Sequence, residues 1–241
     1  PDMTRVWGGN AVGPMHDLAM RIRDYLYALP CEAFVDLHNN TGRNPIYGVL
    51  IANDPMRIAL GRAWTHRFVL YGGQSMGTFL EICEPRAPGV VIECGQAGNA
   101  AADHRALAGA RRFLESEDPF AVPWASDLAL HLYRSIARIH ISDELQLAFD
   151  DNRTVADLTI SPSIDRYNFQ VMAAGSPLAF CNEQGFLTVI GNEGLDVTDD
   201  YLETRDGVIF LKRSIVPVMM TTDGVVAKSD CLLYAAELLS P

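Results

Sequence analysis

The sequence predicts an α/β protein in which a mixed sheet flanked by helices is followed by a smaller β-rich domain. Strand-like and helix-like segments alternate as far as about residue 120, and short β-rich runs separated by turn residues follow. Such alternation is typical of an α/β layer with a parallel or mixed sheet. A length of 241 residues accommodates one large domain or two small ones. We therefore divide the chain into an α/β domain over 1–126 and a β-rich domain over 127–241.

Apolar periodicity and helix-start residues predict the elements of the first domain. Apolar residues at helical spacing between Pro14 and Pro30 predict a helix of roughly four turns. Asp54 followed by Pro55 is typical of a helix start and predicts a helix that ends near His66. The predicted strands cover 31–38, 46–52, 67–71, 77–83 and 89–95, and a further helix covers 99–115.

Turn residues predict an antiparallel β unit in the second domain. They recur as Asp-Asp at 150–151, Ser-Pro-Ser at 161–163, Gly-Asn-Glu-Gly at 191–194 and Asp-Gly at 206–207 and 223–224. The segment 128–141 fits a helix about as well as a bulged strand, so the pattern alone leaves its structure open.

The charge balance excludes several classes of partner. Nineteen basic and thirty acidic residues give a net charge of −11, which repels phosphate backbones and anionic lipid surfaces. No stretch approaches the ~20 apolar residues of a membrane span. Five cysteines without a C-x-x-C pair argue against a disulfide framework and a zinc ribbon. We expect a soluble, cytoplasmic protein with reduced cysteines and neither nucleic acid nor membrane as a partner; an oligomer is possible.

Two strand-like segments carry polar residues that could form a site. Asp36 lies two residues before His38, so both share one face of a strand. A lone histidine there is more often structural, but a neighbouring carboxylate commonly orients a metal-binding imidazole. Glu93 interrupts the apolar run Gly-Val-Val-Ile-Glu-Cys-Gly. Because burying an unpaired carboxylate costs several kcal/mol, we expect Glu93 to be at a sheet edge, paired or catalytic.

Three motifs in order resemble one family of hydrolases. They are Asp-Met-Thr-Arg-Val-Trp-Gly at 2–8, Asp-Leu-His-Asn-Asn-Thr at 36–41 and Val-Ile-Glu-Cys-Gly-Gln at 91–96. Together they resemble D-x-N-R-x-[FW], D-L-H-[NT] and E-x-G of the succinylglutamate desuccinylase/aspartoacylase family, a branch of the zinc carboxypeptidase-like hydrolases. The resemblance extends to the C-terminus, where the family has a β-rich domain, and it favours a strand for 128–141.

The resemblance implies a zinc-dependent amide hydrolase that removes an acyl group from an N-acyl amino acid or a related small amide. In the family, one zinc ion is held by the histidine and glutamate of an H-x-x-E motif and by the histidine of D-L-H, here His38. The glutamate of E-x-G, here Glu93, is the catalytic base. Asp36 would not bind the zinc ion itself but would orient the imidazole of His38.

The resemblance also suggests substrate-binding residues. Arg5 matches an arginine that holds a substrate carboxylate, a role that suits the planar guanidinium. Asn39 follows the histidine of D-L-H and is expected beside the substrate. Arg86 is a further candidate for anion binding, although its spacing to Glu93 departs from the family pattern and an exposed surface position is the alternative.

Three departures from the family pattern restrict these expectations. No H-x-x-E occurs in the sequence, so two of the zinc ligands are absent, and we expect them in an N-terminal segment that precedes Pro1. Thr4 replaces the usual asparagine, and the family's substrate-binding tyrosine aligns near Val225 and Val226. A carboxypeptidase-type metallopeptidase and a metal-free small-molecule-binding relative remain alternatives, and the sequence names neither the acyl group nor the amine.

Overall fold

The computed structural model describes residues 6–8, 11–73, 75, 77–122, 124, 127–182 and 187–240. Helices and strands alternate over its first half, in the order α1 (Pro14–Tyr27), β1 (Phe34–Asn40), β2 (Tyr47–Leu50), α2 (Pro55–Gly61), β3 (Arg67–Leu70), α3 (Phe79–Cys83), β4 (Gly89–Gln96) and α4 (Ala100–Glu115). The helix starts are stabilised locally: the Asp54 side chain accepts hydrogen bonds from the backbone amides of Met56 and Arg57, and Asn99 caps α4 in the same way.

Strands dominate the second half. Their order is β5 (His131–Ile141), β6 (Leu147–Phe149), β7 (Leu158–Ile160), β8 (Pro177–Cys181), β9 (Leu187–Gly191), α5 (Thr198–Tyr201), β10 (Leu202–Arg205), β11 (Val208–Leu211), β12 (Val216–Val218), α6 (Gly224–Ser229) and β13 (Leu233–Ser240). A short 3₁₀ helix covers Ile164–Tyr167.

The larger sheet is mixed and combines strands from both halves of the chain. Seven of its described strands follow the order β1-β4-β2-β3-β5-β13-β12, and β9 also pairs with β5. The pairs β1–β4, β2–β3 and β3–β5 are parallel, whereas β2–β4, β5–β13 and β12–β13 are antiparallel. Because β3 pairs with β5, the sheet continues across residue 126.

A second sheet is formed within the C-terminal half alone. Its described strands follow the order β10-β11-β8-β7-β6, with β6–β7 parallel and the other pairs antiparallel. The largest apolar cluster lies between residues of this sheet and the strands β5, β9 and β13. A separate cluster packs α2 and α4 against the face of β4 that carries Val90 and Ile92.

The structure confirms the predicted α/β class and corrects two elements. The strand predicted over 77–83 is wrong, because residues 79–83 form α3. Glu81 accepts a hydrogen bond from the backbone amide of Thr78 at 2.9 Å, which is half of the capping box that Thr-x-x-Glu provides at a helix start. The helix predicted to end near His66 is shorter and ends at Gly61.

The structure also assigns the segment that the sequence pattern left open. The ambiguous segment 128–141 contains the long strand β5, as the resemblance favours. Four of the cysteines, Cys83, Cys94, Cys181 and Cys231, are buried. None of the described helices combines the length and apolar composition that a membrane span requires.

Candidate functional site

A cavity of about 590 Å³ opens above the larger sheet. It lies where β1 and β4, a parallel pair, approach their carboxyl ends, which is the usual position of a ligand site in such sheets. Side chains from β1, β2, β3, β4, β5, β12 and β13 contribute to its walls.

Three neighbouring strands place one row of polar side chains in this cavity. Glu93 on β4 pairs in register with His38 on β1 and with Tyr47 on β2. All three side chains line the cavity. Directly opposed residues have Cβ atoms roughly 5 Å apart. The row His38, Glu93, Tyr47 therefore crosses the sheet at the base of the site.

Asp36 holds the ring of His38. Because side chains alternate along a strand, both residues point to the cavity face of β1. Their side chains are in contact, with 2.9 Å between Nε2 of His38 and Oδ2 of Asp36.

Glu93 is buried, with 5% of its surface exposed. Asn40 donates a hydrogen bond from Nδ2 to Oε2 of Glu93 at 3.3 Å. Burial raises the pKa of the Glu93 carboxyl to about 7, which outweighs the lowering effects of His38 and of the Asn40 hydrogen bond. A carboxyl group with this pKa can both accept and release a proton near neutral pH.

A chain of hydrogen bonds runs from Glu93 through Asn40 and Asn44 to the backbone of Met219. Asn44 donates from Nδ2 to Oδ1 of Asn40 at 3.2 Å. Oδ1 of Asn44 accepts the backbone amide of Met219 at 3.0 Å. Asn40 is thus held from both sides, and its amide orientation toward Glu93 is fixed.

Gly95 lies within β4, two residues after Glu93, where the pairing of β4 with β1 shifts register. Its φ of 120° lies in a region that residues with a side chain rarely adopt. A Cβ atom at this position would also approach Nη2 of Arg105 to 3.0 Å. The backbone conformation and the close packing at this position therefore explain the glycine of the E-x-G motif.

The structure brings together four of the predicted site residues. Asp36, His38, Asn39 and Glu93 all line the cavity. Arg86 is not brought to them: it is exposed, and its guanidinium donates to the carbonyl oxygen of Leu29 at 3.0 Å.

The remaining sequence-based site prediction, Arg5, lies outside the described residues.

The described residues do not by themselves fit a catalytic zinc ion. Such an ion usually takes three protein ligands and keeps one position open. Within the part of the chain that the structure describes, no group of three or more His, Cys, Asp and Glu side chains is arranged to hold a metal. His38 therefore offers one ligand of a set that these residues leave incomplete.

Sequence reasoning did not single out Tyr47 or Asn44. Tyr47 has no exposed surface, and its hydroxyl has no hydrogen-bond partner among the described residues. Burial, and next the charge of Glu93, raise the pKa of Tyr47 well above its ordinary value. Asn44 is buried in the loop after β1. The only local signal for Asn44 is an asparagine within a turn segment, and such residues are common in turns.

Comparison with known proteins gives matches among solved structures. No family model matches the chain, and no curated protein sequence matches it. Murine aminoacylase 3 superposes with a TM-score of 0.57 at 15% identity, over 99% of this chain and 77% of that chain. A succinylglutamate desuccinylase/aspartoacylase from Rhodobacter sphaeroides superposes with a TM-score of 0.60 at 13% identity, over 100% and 69%.

A third structure agrees with these two. The succinylglutamate desuccinylase from Chromobacterium violaceum has a TM-score of 0.54 at 14% identity and is matched over 67% of its length by the whole of this chain. At such identities the likeness concerns the fold. The chain therefore has the fold of the aspartoacylase and succinylglutamate desuccinylase structures, the family that its three sequence motifs resemble.

Proposed function

We propose that the protein is an amide hydrolase that removes the acyl group from an N-acyl amino acid or a related small amide. The observation that carries the proposal is the position of Glu93, a buried carboxyl in the cavity wall with His38 beside it in register. The fold shared with aminoacylase 3 and succinylglutamate desuccinylase structures supports this class of reaction.

Glu93 would act as the base and then as the acid of the hydrolysis. Its carboxylate takes a proton from a water molecule while the water oxygen forms a bond to the amide carbonyl carbon. The same proton then passes from Glu93 to the amide nitrogen, the carbon–nitrogen bond breaks, and the amine leaves. Asn40 keeps one carboxyl oxygen in place through its hydrogen bond to Oε2.

Substrate binding would involve residues near the row of His38 and Glu93. Asn39 lines the cavity next to His38 and offers an amide that can donate to a carbonyl oxygen. We assign to Arg5, as the resemblance implies, the binding of the substrate's α-carboxylate, because a guanidinium can donate two parallel hydrogen bonds to it.

The substitution Glu93→Gln tests the proposal. It keeps the shape and hydrogen-bonding capacity of the side chain but removes the base. In protein expressed from its complete reading frame, we expect kcat for release of free amino acid from N-acyl amino acids to fall by about 10²–10⁴-fold. Glu203→Gln makes the same change on β10, outside the cavity, and is the matched control.

A different pattern would contradict the role of Glu93. If the carboxyl only stabilises the strand, Glu93→Gln lowers the melting temperature while the folded protein keeps kcat within a few-fold of wild type. A wild-type protein that hydrolyses none of a panel of N-acyl amino acids would contradict the function as a whole.

We further propose that His38 is one ligand of a zinc ion whose other ligands lie outside the described residues. We expect metal analysis of the same preparations to find less zinc in His38→Ala than in wild type, because catalytic zinc sites depend on each of their few ligands. His104→Ala, which removes an exposed histidine on α4, is the control. Equal zinc content in wild type and His38→Ala would refute this assignment.

A further inference from the structure

Beyond His38 and Glu93, the cavity is lined mainly by apolar side chains. Val49 on β2 lies one pleat from Tyr47, and Val69 on β3 pairs with it in register. Val218 on β12 and Tyr234 on β13 form the other wall. These residues belong to one apolar cluster with Tyr47. An apolar surface therefore begins at the catalytic row and continues across the neighbouring strands.

Acidic side chains predominate among the described residues that line this cavity. Four carboxyl side chains line it: Asp36, Glu81, Glu93 and Asp230. Among the described lining residues there is neither lysine nor arginine. A second carboxylate on a substrate would be removed from water close to these groups without a described cation to pair with it, and an unpaired buried charge is strongly disfavoured.

The helix α6 contributes a valine to the same wall. Val226 lines the cavity, whereas its neighbour Val225 is 78% exposed and does not. The wall at this point is thus apolar.

We infer that the preferred substrates are N-acyl amino acids with a bulky apolar acyl group and no carboxylate besides the α-carboxylate. The inference rests on the proposed amide hydrolysis and names its substrate class. The acyl chain would lie on the surface formed by Val49, Val69 and Val218, with the scissile amide at Glu93. Each methylene group that leaves water for this surface favours binding.

Hydrolysis rates test the preference directly. We expect kcat/KM for N-hexanoylglycine to exceed that for N-acetylglycine and that for N-acetyl-L-aspartate by about tenfold or more. N-acetyl-L-aspartate hydrolysed as fast as N-hexanoylglycine, or faster, would overturn the inference while leaving the proposed function intact. If none of the three compounds is hydrolysed, the result would count against the proposed function.

Binding measurements test the inference independently of turnover. In calorimetric titrations of Glu93→Gln protein, we expect N-hexanoylglycine to bind about tenfold more tightly than N-acetyl-L-aspartate, or better. Equal affinities, or tighter binding of the aspartate derivative, would overturn the inference even if no hydrolysis is detected.

Two neighbouring positions on α6 allow the effect of a charge inside the cavity to be compared with that of a charge outside it. In the Glu93→Gln background, Val226→Lys places a cation in the wall, and we expect it to reduce the affinity ratio of the two ligands by about tenfold. Val226→Met controls for side-chain length, and Val225→Lys adds the same charge at an exposed position. We expect Val226→Met and Val225→Lys to leave the affinity ratio of the two ligands unchanged. If Val226→Lys also leaves this ratio unchanged, the inference is contradicted.

Discussion

The hydroxyl of Tyr47 is buried, and none of the described residues forms a hydrogen bond with it. The tyrosine ring is held by Phe169, whose ring centroid lies 4.9 Å away. The hydroxyl therefore cannot move far to find a hydrogen bond. Leaving such a group unsatisfied costs about 1–3 kcal/mol.

Tyr47→Phe removes only this oxygen. We expect the free energy of unfolding to rise by about 1 kcal/mol, because a buried polar group without a hydrogen bond is removed. Chemical denaturation measures this effect. Tyr133→Phe is the matched control, since Tyr133 contacts the same Phe169 ring, at 5.3 Å. If Tyr47→Phe is less stable than wild type, the Tyr47 hydroxyl must form a hydrogen bond in the folded protein, and the prediction is wrong.

Individual site residues differ in how far the sequence could predict them. The proximity of Asp36 and His38 follows from the two-residue period of a strand. The burial of Glu93 follows from its apolar neighbours. The place of Tyr47 beside Glu93 depends on the antiparallel pairing of β2 with β4, which no local pattern encodes. Arg86 is exposed, which is the alternative that its departure from the family spacing indicated.

At the scale of elements, periodicity predicted the long segments better than the short ones. The helices α1 and α4 and the strands β1 and β4 lie within a few residues of their predicted positions. The segment 79–83 forms a helix because its cap, Thr78 with Glu81, stabilises the first turn. Its few apolar residues fit a strand equally well, and short apolar runs cannot be distinguished by period alone.

The helix α4 packs against the indole of Trp64 at Gly109. A Cβ atom at residue 109 would overlap the indole ring. The ring cannot easily move, because Nε1 of Trp64 donates to the carbonyl oxygen of Ala106 at 3.1 Å and Phe113 lies against the ring. This contact fixes α4, which flanks β4 on the side opposite Glu93.

Gly109→Ala therefore has two opposing effects on stability, because alanine favours the helix but its Cβ atom overlaps the indole of Trp64. Propensity alone would stabilise the helix by about 1 kcal/mol, but overpacking costs about 1–3 kcal/mol, so we expect a net loss of stability in thermal unfolding. The double variant Trp64→Leu/Gly109→Ala should lose less than the sum of the two single variants, because the overlap is gone. A more stable Gly109→Ala would show that the helix can shift away from the ring.

At the scale of the whole molecule, the contacts across residue 126 are extensive. The strands β3 and β5 pair in parallel over four residues, 67–70 with 131–134. Thr41 and Thr221 share a hydrogen bond at 2.7 Å, and the Arg43 amide donates to Asp165 at 3.1 Å. The β-rich composition after Pro123 indicated a separate domain. The sequence could not show that β5, β12 and β13 complete the sheet of the first half.

These contacts predict that the two halves unfold together. All three tryptophans, Trp7, Trp64 and Trp124, precede residue 127, so their fluorescence reports on the first half, whereas far-ultraviolet circular dichroism reports on both. We expect the two signals to change in one coincident urea transition, since separating the halves would expose the edges of β3 and β5. Destabilising the second half, by Leu211→Ala in its buried core, should shift both signals by the same urea concentration. A fluorescence transition that stays in place while the circular dichroism shifts would show that 1–126 and 127–241 are independent folding units.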